Sequence, residues 1–98
     1  MESNSWLVRR RLAQTAQRLR ETREKLAVAE EQLSALEEDA EDQGIRSLVS
    51  DNPEYGPESR QASAHAASMR RHRDDLRRTL TDLERRQDAL LDKMTGKS

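Results

Sequence analysis

The sequence predicts an all-α fold, a two-helix antiparallel coiled-coil hairpin, and three observations carry that prediction. Leu12, Leu19, Leu26 and Leu33 recur every seven residues. Met69, Leu76, Leu83 and Leu90 repeat the spacing further along. Between the two ladders lies Asn52-Pro53-Glu54-Tyr55-Gly56-Pro57, which holds both prolines of the chain. Apolar residues on a seven-residue period mark helices that bury one narrow seam against a partner helix. A proline- and glycine-bearing turn between two such helices folds the second back on the first.

The whole chain, 1–98, then reads as a single helical hairpin. Arm one spans about 5–49, the turn about 50–57 and arm two about 58–94, with a short C-terminal tail. Gly44 marks a kink in arm one, because a glycine inside a helix costs about 1 kcal/mol against alanine. Asn52-Pro53 ends arm one, since the residue before a proline avoids the helical region. Pro57 suits the first turn of arm two, and Thr95-Gly96 reads as its stop.

Composition agrees with a seam rather than a globular core. Of 98 residues, 33% are hydrophobic and 38% charged, with no Phe, one Trp and one Tyr. A two-helix seam buries only about two positions in seven, which this apolar content can fill. The sustained heptads set the chain apart from a disordered polar one. With no cysteine, neither a disulfide framework nor a thiolate metal site is open to it. The longest apolar run near the start is Trp6-Leu7-Val8, too short for a signal peptide, and no stretch spans a bilayer. The expected setting is cytoplasmic, with no membrane partner. Arg outnumbers Lys 15 to 3, which is read as the codon bias of a GC-rich genome rather than as an anion site.

The net charge of −1 hides a partition. Residues 1–29 carry seven basic and three acidic side chains, a net of +4. Residues 30–58 carry one basic and ten acidic, a net of −9, and residues 59–98 ten basic and six acidic, a net of +4. Folding at the turn brings the two basic parts together and leaves an acidic head on a basic stem.

Two registers satisfy the seam. In both, Leu12, Leu19, Leu26, Leu33 and Ala40 take position a of arm one and Val8, Thr15, Thr22, Ala29 and Leu36 position d. Ala62, Met69, Leu76, Leu83 and Leu90 take position d of arm two. The first register layers Leu33 on Leu76 and Leu19 on Leu90. It centres the turn on Glu54 and Tyr55 and sets Glu37 near Arg70, Glu30 near Arg77 and Arg23 near Glu84. The second layers Leu33 on Met69 and Leu12 on Leu90, and it satisfies Val8 and Met94. It also sets Arg23 near Arg77 and asks for a longer tip. Opposite-charge pairs and a short connection favour the first, although each surface pair is worth only a few tenths of a kcal/mol.

Three surfaces remain for function. At the tip, Asp39, Glu41 and Asp42 lie below the turn, and Ile45, Leu48 and Val49 fall off the seam in the favoured register. With Tyr55 they form an apolar plug for a pocket rimmed by basic residues, unless the tip folds over itself. Clustered carboxylates suit Mg²⁺ or Ca²⁺, but no EF-hand spacing is present, so no metal site or cofactor is assigned. Along one flank, Arg11, Arg18 and Lys25 face Arg86 and Lys93 without acidic partners. Phosphate binding rewards such clusters, while the lack of stacking aromatics argues against single-stranded nucleic acid. At the stem end, Trp6, Leu7 and Val8 overhang the hairpin as a docking patch for a partner or for a second copy. His65 and His72, one heptad apart, stand too far apart to share a metal ion. Asp39 falls within reach of His72, and Arg73, at a core position, snorkels towards Glu37. The chain has no Gly-rich phosphate loop, nucleophile–base set or concave pocket, so no enzyme is expected.

The acidic arm, the Asn-Pro turn and the stretches Met69–Arg73 and Glu84–Asp92 resemble the small Arg/Ala-rich coiled-coil hairpin proteins common in actinobacteria, a resemblance that implies no activity. The acid tip (Asp39, Glu41, Asp42) and basic stem (Arg11, Arg18) are also similar in architecture to bacterial transcript-cleavage factors, which insert a helical hairpin into the RNA polymerase secondary channel. This chain has no counterpart of the globular domain with which those factors dock. The expected function is non-enzymatic protein binding, as an adaptor or regulator. The alternatives are an RNA polymerase-associated transcription regulator, a self-assembling structural coiled coil or homodimer, and nucleic-acid binding through the basic flank.

Overall fold

The computed structural model describes residues 2–50 and 55–96, and every one of these except Ser50 and Gly96 is helical. Helix α1 spans Glu2–Val49 and helix α2 spans Tyr55–Thr95, packed as an all-α hairpin. Buried and half-buried positions along α1 include Val8, Leu12, Thr15, Leu19, Thr22, Leu26, Ala29, Leu33, Leu36, Ala40 and Gln43, a row that alternates steps of three and four. That is the a/d seam. Along α2 the same spacing runs through Ala62, Ala66, Met69, Arg73, Leu76, Leu80, Leu83, Gln87 and Leu90. Leu19, only 1% exposed, is the largest side chain wholly withdrawn from water.

Two seam positions of α1 are threonines. Thr15 is buried, and its hydroxyl donates to the Arg11 carbonyl at 2.8 Å. Bonding back to its own helix satisfies the hydroxyl locally, so it asks nothing of the opposite helix.

The helix ends follow backbone chemistry. After α1, the Ser50 N–H donates to the Arg46 carbonyl at 3.0 Å. Asn52-Pro53 lies outside the described residues. Helix α2 opens at Tyr55, earlier than the expected 58, and so includes Gly56-Pro57. Proline is acceptable there because the first four N–H groups of a helix have no intrahelical partner in any case. Gly96 ends α2 as expected, with φ of 75° and its N–H on the Lys93 carbonyl at 3.4 Å. Gly44 does not interrupt α1.

The chain divides into two compact units. One combines Met1–Lys25 with Leu76–Ser98, here the stem unit; the other is Leu26–Asp75, the tip unit. In the stem unit the seam is leucine-rich: Leu12 and Leu19 on α1, and Leu76, Leu80, Leu83 and Leu90 on α2. In the tip unit it thins towards the turn into Ala40, Gln43 and Ser47 on α1 and Ser59, Ala62 and Ala66 on α2. A leucine fully buried contributes roughly 1.5–3 kcal/mol, and alanine much less. The last turns before the loop are therefore the weakest-held part of the tip unit.

Within the tip unit the register differs from the favoured expectation. Asp39 and Gln43 of α1 line one groove with Glu58, Gln61, Ala62 and His65 of α2. The first register instead sets Asp39 beside His72. Sharing that groove with Glu58 and His65 fits the second register, which layers Leu33 on Met69, Leu36 on Ala66 and Ala40 on Ala62. The expected ion pair between Glu37 and Arg70 is nonetheless present at 3.6 Å. Helical side chains lean towards the N-terminus of their own helix, so in an antiparallel pair these two lean towards each other across a stagger of several residues. The pair was therefore no guide to the register. Helix α2 already begins at Tyr55, and Glu54, on which that register centres the turn, lies outside the described residues.

A Cβ placed on Gly44 meets no atom within 4 Å. Gly44→Ala should therefore stabilise the hairpin by about 0.5–1 kcal/mol, read as a higher midpoint in urea unfolding followed by helical circular dichroism. Leu19→Ala should destabilise it by about 2–5 kcal/mol in the same experiment. Amide hydrogen exchange should be faster over 40–50 than over 12–22.

Candidate functional site

The tip is built by the last two turns of α1. The seam takes Ala40 and Gln43, so Glu41, Asp42, Ile45, Leu48 and Val49 project from the outer side of the helix, where α2 cannot cover them. Leu48 is 87% exposed, Val49 80% and Ile45 54%. The turn residues 51–54, expected as a possible cover for them, lie outside the described residues. Tyr55 opens α2, and its side chain lies outside the described residues.

The acidic residues divide into two groups. Asp42 is tied to Arg46 by an exposed ion pair of 3.2 Å within α1. Glu38 and Glu41 are exposed and, among the described residues, form no ion pair. Asp39 instead turns towards α2 and helps line the groove with Glu58 and His65. The Gln43 side-chain oxygen is buried there and accepts no hydrogen bond from the protein. Among the described residues, no three His, Asp or Glu side chains are placed to hold a metal ion.

The basic flank lies in the stem unit. Arg11, Arg18, Lys25, Arg86 and Lys93 all belong to it and all are exposed. They occupy equivalent heptad positions just before the seam residues of each helix, so the antiparallel pairing sets them along one side. None forms an ion pair among the described residues, in contrast to Arg46, Arg70 and Arg73. Arg18 also lines a shallow groove on α1 with Ala13, Gln14, Gln17 and Glu21. In that groove the Gln17 amide donates to Glu21 at 2.9 Å, and Arg20 donates to Gln17 at 3.0 Å.

At the stem end, Trp6 is 58% exposed and Leu7 is exposed, with the Arg10 guanidinium 5.8 Å from the centre of the Trp6 ring. A cation over an indole face in this geometry holds the ring against its own helix. Val8 does not overhang. It is half-buried on the seam and leaves the docking patch.

Two further expectations are corrected. Asp39 shares its groove with His65 rather than lying near His72. Arg73 bonds the adjacent Asp74 through its Nε at 2.9 Å, since Glu37 is engaged by Arg70. Sequence reasoning missed Val28, an exposed valine on the outer side of α1, and Leu91 and Met94, exposed on α2. Val28 was legible from its heptad position, one step short of the buried Ala29.

No helix among the described residues is long and apolar enough to cross a membrane. Comparison with protein families, with curated proteins and with solved structures gives no match.

The groove at Gln43 yields a stability test. Gln43→Leu removes a buried acceptor without a partner and should raise the melting temperature, by about 1 kcal/mol of stability. Gln43→Glu should lower it, because it places a charge beside Asp39 and Glu58.

Proposed function

We propose that this hairpin is a non-enzymatic protein-binding module, an adaptor or regulator acting in the cytoplasm, whose contact surface is the tip of α1. One observation carries the reading: Ile45, Leu48 and Val49 stand in water together, beside carboxylates at Glu38 and Glu41 that form no ion pair among the described residues. Fully burying a leucine, isoleucine or valine gains about 1.5–3 kcal/mol, so three neighbours supply enough to anchor a moderate-affinity interface. Unpaired carboxylates at the rim favour a partner with basic residues around an apolar pocket and speed the encounter with it. The side chains contribute little to folding, which leaves binding as the use that rewards their position.

A second reading rests on the basic flank. Five cations that form no ion pair among the described residues favour an anionic partner such as nucleic acid, a nucleic-acid-bound enzyme or an acidic protein surface. Charge-reversal of Arg18 and Arg86 should abolish any DNA or RNA mobility shift seen at low salt, and a wild-type chain that shifts neither removes nucleic acid from consideration.

The principal test is affinity capture from native lysate, comparing wild type with a variant carrying Ser at 45, 48 and 49. A partner held by wild type should bind the variant more weakly by about 3 kcal/mol or more, roughly a hundredfold in Kd. The melting temperatures of the two proteins should be similar. Capture of the same proteins by both forms would show that the tip is not the binding surface.

A further inference from the structure

The two units carry opposite charge. The stem unit, Met1–Lys25 with Leu76–Ser98, holds thirteen basic and seven acidic side chains, a net of +6. The tip unit, Leu26–Asp75, holds five basic and twelve acidic, a net of −7. Within the stem unit, Arg11, Arg18 and Lys25 of α1 and Arg86 and Lys93 of α2 share one side and form no ion pair among the described residues. Seven residues of helix rise about 10 Å, so the flank cations of each helix stand that far apart along it. Glu21, whose carboxylate lines the same shallow groove as Arg18, accepts instead from the Gln17 amide at 2.9 Å.

Four features decide which anion this flank fits. No large hydrophobic side chain is exposed from Val8 to Ala27 of α1 or from Leu76 to Leu90 of α2. Protein interfaces are centred on buried apolar groups, so a surface without them suits a phosphate backbone better than an acidic protein. Single strands are held by aromatic stacking, and the one aromatic side chain of the stem unit, Trp6, lies outside the row with the Arg10 guanidinium 5.8 Å from its ring centre. Three of the five cations are arginines, whose planar fork matches two oxygens of one phosphate. Finally, the major groove of a B-form duplex is about 12 Å wide, so cations one heptad apart reach phosphates on its two walls. A single strand offers only one wall.

We infer that the basic flank of the stem unit binds duplex DNA through its phosphates, lying across a groove so that successive cations of one helix meet opposite strands. This rests on the reading of the flank as a surface for an anionic partner and names that partner. With all five side chains on phosphates, none is left to read base edges, and binding is indifferent to sequence. The tip unit, with its net negative charge, takes no part in the contact.

The test is fluorescence anisotropy of the full chain with short labelled DNA duplexes of two unrelated sequences, and with one strand alone. At physiological salt the two duplexes should bind alike, with Kd between about 1 and 100 μM. Five phosphate contacts give log K a slope of about −4.5 against log[KCl], roughly a 500-fold loss of affinity from about 50 to 200 mM. Arg18→Gln/Arg86→Gln removes two contacts and should reduce that slope to about −2.7, with helicity unchanged. Arg20→Gln/Arg23→Gln takes the same charge from outside the flank and should leave the slope near its wild-type value. An equal loss in both variants would overturn the flank as the site. A single strand bound as tightly as its duplex would overturn the groove-spanning arrangement. A wild type that binds neither duplex at about 50 mM KCl would remove DNA as the partner. Anisotropy with labelled poly-L-glutamate then separates the two readings: binding that is lost in Arg18→Gln/Arg86→Gln keeps the flank as a site for an acidic protein, and no binding removes the anionic-partner reading as well.

Discussion

One apolar seam between two helices is the interaction on which the rest of the molecule depends. Each helix offers about two inward positions in seven, and nothing else covers the remaining five. Folding energy therefore comes from a single row of layers, strongest where leucines meet and weakest where Ala40, Gln43 and Ser47 approach the turn. Isolated helices of such polar sequence are marginal in water, so neither arm is expected to persist without the other. Every surface feature is held in place by this row and adds little to it.

That economy separates the residues that hold the fold from those that do not. Leu19, Leu33, Leu83 and Leu90 are buried and explain the fold. Leu48 and Val49 are exposed, explain nothing about the fold, and sit where the seam is thinnest. The ion pairs of Asp42 with Arg46 and of Glu37 with Arg70 are exposed and worth at most about 1 kcal/mol each. The cations of the stem flank form none among the described residues.

The thinning of the seam has a consequence for binding. A tip held by small residues opens more readily than a leucine-packed stem, because local opening costs only the contacts that are lost. Side chains such as Leu48 can then adjust to a partner without disturbing the leucine layers of the stem unit. The same thinness places the buried, unpartnered Gln43 oxygen near the tip, where its cost is tolerated.

The sequence by itself determined the helices, their seam, the partition of charge and the outer positions of Trp6, Leu7, Ile45, Leu48 and Val49, because heptad spacing states directly which side of a helix faces its partner. It also placed the stop at Gly96, since few residues other than glycine adopt that backbone angle. Only the tertiary structure decided between the two registers, as both layers of apolar partners were acceptable and the distinguishing ion pair forms in either case. The groove shared by Asp39, Gln43, Glu58 and His65 could not be read from the chain for the same reason: it exists only once one helix has been slid along the other to a particular layer. Whether the tip covered itself was likewise undecided by spacing, which assigns a side chain to a face but not what lies above that face. Leu48 and Val49 are exposed because α2 packs on the opposite side of α1.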